Sequence, residues 1–158
     1  MNPFQHSESI VVDAPPEAVY ELITDIGRTG EWSPICQECW WQDGQALRVG
    51  GSFAGRNEAD GRVWETTSRV AVADPNREFA WLVGDSAVRW GYLLEPVDSA
   101  STKITESWEF LPAGLEMFAE TRGSDADHQI EVRRQWAVAG IPVTLAAIKA
   151  IAEAERSH

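Results

Sequence analysis

Apolar residues recur along this chain with two different spacings, and the spacing assigns an element to nearly every segment. Residues 141–155 read IPVTLAAIKAIAEAE, with Val143, Leu145, Ile148, Ile151 and Ala152 at helical intervals. That spacing lays a stripe along one side of a helix. Pro142 suits a first helical turn, Gly140 marks a break before it, and alanine-rich filling favours helix further. Residues 16–25 carry the same signal. Ala18, Val19, Leu22, Ile23 and Ile26 fall on one side, Glu17 complements the helix dipole, and Gly27 ends the run. Residues 28–34, with Trp32 among them, read as a short irregular or helical piece.

Elsewhere the period is two. Residues 7–13, 39–42, 52–58, 63–73, 78–83, 88–95 and 102–111 read as strands. Turn signals part them: Asp43-Gly44, Ala59-Asp60-Gly61, Asp74-Pro75-Asn76, Gly84-Asp85-Ser86 and the polar stretch 96–101. Turns recurring about every 8–12 residues predict an antiparallel meander. The expected class is α+β: a curved antiparallel sheet of about seven strands around a long C-terminal helix, with two short helices after the first strand. All 158 residues are expected to form one domain. The apolar stripe of the last helix needs a partner, and the sheet offers one, with a space between them.

Alternation selects the side chains that face this space. Phe53, Gly55 and Asn57 share a face, as do Trp64, Thr66, Ser68, Val70 and Val72. Phe79, Trp81 and Val83 form another set, and Val88, Trp90, Tyr92 and Leu94 the next. In 102–111, Ile104, Glu106, Trp108 and Phe110 point one way, while Thr105, Ser107 and Glu109 form the wet side. The inward set is mostly aromatic, with Asn57, Thr66, Tyr92 and Glu106 as scattered polar points, the make-up of a ligand pocket. The expected ligand contacts are Phe53, Asn57, Trp64, Thr66, Trp81, Trp90, Tyr92 and Trp108 from the sheet, with Leu145 and Ile148 from the helix.

Residues 112–140 interrupt this order. A link of that length holds structure of its own or serves the site. Helix is expected from near Asp127, with Asp125 or Asp127 as cap and Ile130, Arg133, Arg134 and Trp136-Ala137 extending the terminal helix. The alternative is a lid over the cavity mouth formed by residues 114–119.

Charge and composition narrow the partners. The formal net charge is −12, with 13 basic against 25 acidic residues, which argues against nucleic acid and against anionic membrane surfaces. No apolar run approaches the roughly 20 residues of a membrane span, so no membrane insertion is expected. The N-terminal MNPFQHSESIVV lacks the basic and apolar regions of a signal peptide, and a cytoplasmic location is expected. Eight tryptophans are many for this length, and indole suits pocket walls as well as cores. Cys36 and Cys39 form a lone CxxC, while His6, His128 and His158 lie far from it in sequence. Zinc would need two further soft ligands, and a redox CxxC usually opens a helix. Two unbonded thiols, no metal and no cofactor are expected.

The segments APPEAVYELITDIGRTGEWSP, GGSFAGRN, VWETTSRVAVADPNREFAW and KITESWEF, in that order, resemble the START-like or Bet v 1-like (SRPBCC) superfamily, and within it the bacterial polyketide cyclase/dehydrase family. The resemblance covers about residues 7–111 and the terminal helix. It implies a helix-grip fold, in which a curved sheet closes on the C-terminal helix around an apolar cavity.

Candidate chemistry centres on Glu106. An inward carboxyl must be hydrogen-bonded, paired or protonated. It is either a general acid or base with a raised pKa, or the partner of Arg56, Arg69 or Arg89, or a cap on a strand bulge. Asn57 either fixes a neighbour or binds ligand, and His128 reads as solvated. The favoured function is binding of a hydrophobic small molecule of lipid, polyketide or isoprenoid class. One inward ionisable group is visible, where aldol cyclisation wants an acid and a base. The alternative is a polyketide cyclase or dehydratase using Glu106 with Tyr92 or Asn57 for proton transfer. A weaker alternative is a protein-interaction module. The sequence leaves the oligomeric state open.

Overall fold

Seven strands join edge to edge in one antiparallel sheet, in the order β1-β7-β6-β5-β4-β3-β2, in a computed structural model that describes residues 2–84 and 86–156. The strands are β1 (Gln5–Val12), β2 (Cys36–Trp41), β3 (Ser52–Ala59), β4 (Arg62–Asp74), β5 (Glu78–Val83), β6 (Val88–Asp98) and β7 (Ser101–Phe110). Asp85, in the turn expected at 84–86, and His158 lie outside the described residues. Every strand expected from alternation is present, within a few residues of its expected ends. The β3–β4 hairpin turns through Asp60 and Gly61, both with positive φ (52° and 76°), as a two-residue turn with the twist of its strands requires.

After β1 the chain crosses the sheet by α1 (Pro16–Thr24) and a 3-10 helix (Ile26–Glu31) before entering β2. Pro16 opens α1, and Val19, Leu22, Ile23 and Ile26 are buried as their spacing predicts. After β7 come α2 (Pro112–Arg122) and, past a short 3-10 turn, α3 (Ala126–Arg156). The curved sheet and long terminal helix make this an α+β helix-grip architecture.

Three expectations change here. Helix begins at Ala126, close to the expected Asp127, but the break expected at Gly140 and Pro142 is absent: α3 runs unbroken through both. Pro142 is exposed, so its ring projects away from the sheet, while Ile130, Ala137, Ile141, Leu145, Ile148 and Ala152 are buried on the other side. Burial of that continuous stripe outweighs the loss of one helical hydrogen bond. Val143, expected within the stripe, is 54% exposed. By length and composition alone, one helical stretch within Pro112–Arg156 is long and apolar enough to cross a membrane. In this fold its apolar side rests on the sheet.

A bulge in β4 makes the third change. Val70 pairs with Trp81, Val72 with Ala80 and Ala73 with Phe79, so Ala71 is the extra residue. Beyond it the phase reverses, and Ala73 rather than Val72 shares the inner face with Phe79.

Helix α2 is seated by backbone. The Leu111 N–H donates to the Ala87 carbonyl, and a Cβ on Gly114 would lie 2.3 Å from that oxygen and 2.8 Å from the Ala87 Cα. Phe118 packs edge-on against Phe110 at 5.0 Å. A Gly114→Ala substitution must push α2 off the β5–β6 turn. We expect a loss of about 2–3 kcal/mol in urea unfolding; an unchanged midpoint would show that the contact is not made.

Candidate functional site

Between sheet and α3 lies a cavity of about 230 Å³. Each central strand contributes every second residue to it: Phe53, Gly55 and Asn57 from β3, Trp64, Thr66 and Ser68 from β4, and Phe79, Trp81 and Val83 from β5. Val88, Trp90 and Tyr92 come from β6, and Glu106 and Trp108 from β7. Trp81 is the hub of the wall. Its ring centroid lies 5.2 Å from Phe79, 5.9 Å from Tyr92 and 6.1 Å from Phe53, in tilted or edge-on geometries that aromatic quadrupoles favour.

Eight residues expected to face a ligand from the sheet therefore line one space, and so does Glu106. Leu145 and Ile148 do not. They are 2% and 0% exposed and belong to the packed core instead. Helix α3 presents Arg133, Trp136, Ala137, Gly140, Ile141 and Thr144 instead, one face at three- and four-residue steps. That face begins in the segment whose structure the sequence left open, so its first half was missed. Trp136 stacks on Trp64 at 5.5 Å and 20°, joining helix to sheet. No residue of α2 lines the cavity, so the lid alternative is not what the fold builds.

Glu106 is 4% exposed, and its Oε1 atom has no hydrogen-bond partner among the described residues. None of the proposed cations reaches it. Arg56 pairs with Glu38 and Arg89 with Glu78, each at 3.2 Å, while Arg69 is exposed. Burial pushes the Glu106 carboxyl up to about 8; the pull of the Tyr92 hydroxyl offsets part of this, and the charge of Glu8 adds to it. Tyr92 and Glu8 are its register partners on β6 and β1. At neutral pH Glu106 is thus mainly a neutral acid, with a proton to donate and an oxygen left over. Tyr92 is also pushed well above its ordinary value, first by burial and then by Glu106. Asn57 holds its neighbours: its Nδ2 donates to Thr66 Oγ1 at 3.2 Å and to the Trp64 carbonyl at 3.4 Å.

Arg133 supplies the opposite character. Its guanidinium lies 4.9 Å from the Phe118 ring centroid, and Arg122 lies 4.0 Å from the same ring. Burial, then the charges of Arg122 and Arg62, hold its pKa below the usual arginine value. Its hydrogen bonds go to Gln129, and no carboxylate among the described residues pairs with it. Arg62 is exposed and Arg122 half-buried, so this is the solvent-facing end of the cavity, whereas Glu106 is buried. A chain of net charge −12 therefore gathers three cations at one mouth. The sequence reading saw one inward ionisable side chain; the cavity wall also carries Arg133, Cys36 and Cys39. Among the described residues no group of three His, Cys, Asp or Glu is placed to hold a metal ion.

Comparison with known proteins agrees with this geometry. Residues 3–134 match the family model described as polyketide cyclase / dehydrase and lipid transport. The solution structure of a Polyketide_cyc-like protein from Corynebacterium glutamicum is 47% identical, covers 98% of this chain and 94% of its own, and has a TM-score of 0.70. Two further structures share the fold at low identity. The Zhui aromatase/cyclase from Streptomyces sp. R1128 is 17% identical over 94% of this chain and 93% of its own, with a TM-score of 0.65. The di-domain ARO/CYC StfQ of steffimycin biosynthesis is 13% identical over 98% of this chain and 52% of its own, with a TM-score of 0.68. No curated protein matches the chain. With its model matched over most of the length, the chain belongs to the polyketide cyclase / dehydrase and lipid transport family.

Proposed function

We propose that this protein binds a polyketide-like apolar molecule, with a carbonyl or hydroxyl at its buried end and an anionic or strongly polar group at its outer end. The observation that carries this reading is the buried Glu106 oxygen, without a partner among the described residues, on the wall of an indole-lined space. A buried acceptor without a partner costs free energy of about 1–3 kcal/mol, which a ligand donor in that place recovers. The neutral carboxyl can in turn donate to a carbonyl. At the other end, Arg133 offers an unneutralised guanidinium on aromatic faces, suited to a carboxylate or enolate.

A second reading, catalysis, has its own support in Glu106 and Tyr92. A carboxyl near 8 opposite a phenol can polarise a ketone and shuttle a proton during enolisation or dehydration. Aromatase/cyclase neighbours of the same fold fit that chemistry. Binding precedes either outcome and is the firmer claim.

Two ligands of equal shape test the assignment of ends: neutral 2-acetonaphthone and anionic 2-naphthoate, followed by tryptophan emission. Both are expected to bind wild type. Arg133→Gln should weaken naphthoate about tenfold or more, the worth of a charge-assisted hydrogen bond, and leave acetonaphthone within about twofold. Equal loss for both ligands would remove Arg133 from the site; no binding of either would remove the cavity.

A further inference from the structure

The CxxC pair is the motif that the proposed function leaves unused. Cys36 and Cys39 are three residues apart in β2, and in a regular strand such residues face opposite sides. Here they do not. Cys36 pairs with Asn57, Glu38 with Arg56 and Cys39 with Gly55, so Gln37 is an extra residue that reverses the phase between the cysteines. Both sulfurs come to the inner face above β3, with Sγ–Sγ at 3.1 Å. Gly55 lies beneath them: a Cβ there would sit 3.4 Å from each sulfur. The bulge is held from outside, because Gly30 of the 3-10 helix abuts the Gln37 carbonyl so closely that a Cβ would lie 2.2 Å from it. Both cysteines line the cavity; Cys39 is 8% exposed and Cys36 is half-buried.

We propose that Cys36 and Cys39 form a redox-modifiable dithiol in the cavity wall, which a hydroperoxide small enough to enter converts to an intramolecular disulfide. Cys39 is the attacking sulfur. The hydrogen bond between the two sulfurs lowers the pKa of Cys39, while the same bond and burial raise that of Cys36. The Cys39 thiolate attacks one peroxide oxygen, the O–O bond breaks, and hydroxide leaves to take up a proton as water. Cys39 is then a sulfenic acid. The Cys36 sulfur attacks the Cys39 sulfur, the S–O bond breaks, and a second water leaves with the Cys36 proton. Two thiols are oxidised and hydrogen peroxide is reduced to two waters; an organic hydroperoxide would give one water and its alcohol. A small thiol reverses the reaction by exchange. Neither step needs a ligand, so the proposal is independent of the binding reading.

The test is intact-mass spectrometry of the reduced full chain after limited hydrogen peroxide, followed by alkylation. Wild type is expected to lose two hydrogen masses and both alkylatable thiols together, and to regain them with dithiothreitol. Cys36→Ser should instead stop at, or run past, the sulfenic acid, gaining oxygen mass at Cys39. Cys39→Ser should keep its remaining thiol at least about tenfold longer than wild type keeps its first. Independent addition of oxygen to both wild-type cysteines, disulfide-linked dimers, or thiol loss no faster than in Cys39→Ser would each overturn the proposal. The wild-type mass alone decides the pairing if a variant fails to fold.

Discussion

Between pH 4.5 and about 8 the wild-type protein should lose stability that a Glu106→Gln variant retains. In the folded state Glu106 keeps its proton up to about 8, whereas in the unfolded chain it ionises near the ordinary 4.5. Across that window the folded state binds more protons than the unfolded state, so stability falls as pH rises. Below it both states are protonated, and above it both are ionised. The difference corresponds to roughly 4–5 kcal/mol at about 1.4 kcal/mol per pH unit. Glutamine keeps the shape and a donor without the charge. The variant should therefore gain on wild type as pH rises from 5 to 8 and overtake it near the top of that range, read from urea midpoints. Parallel curves for the two proteins would mean that Glu106 is ionised in the fold, with a partner that the geometry does not show.

The second large effect separates two neighbours on α3. Leu145 is 2% exposed and Val143 is 54% exposed, although the spacing of apolar residues put both in one stripe. Leu145→Ala should cost about 3–5 kcal/mol, through lost transfer energy and the void left behind. Val143→Ala should stay within about 0.5 kcal/mol. Comparable losses at both sites would place the helix in a different rotation against the sheet, and the residues of α3 lining the cavity would change with it.

That pair illustrates what local pattern carries. Alternation placed Glu106, Trp108 and Tyr92 inward because nothing interrupts β6 and β7 between Val88 and Leu94 or Ile104 and Phe110. The same rule failed at Val72, and it was silent at Cys36 and Cys39. A bulge is a single extra residue whose cause lies in another element, such as Gly30 against Gln37. Pro142 misled for a related reason. Its local signal is a helix start, but the partner that decides is the sheet, which holds the stripe on both sides of it. Arg133 and Trp136 were placed on a possible helix extension, yet their facing could not be read. Three-residue spacing fixes which residues share a face, and only the packing says which face meets the sheet.

Charge behaved in a similar way. A net of −12 describes the whole chain correctly and hides three arginines gathered at one opening. A whole-chain average does not reveal the local sign of a cavity mouth.

The tryptophans themselves give the most direct test of the cavity. Trp32, Trp64, Trp81, Trp90, Trp108 and Trp136 line it, whereas Trp40, 37% exposed, and Trp41 do not. In a nitrogen–proton correlation spectrum each indole Nε1–H gives its own signal. Titration with 2-acetonaphthone should move the six lining signals together, saturating at one ligand per chain, and leave Trp40 in place. Movement confined to Trp40 and Trp41, or none at all under ligand excess, would contradict a binding cavity between sheet and helix.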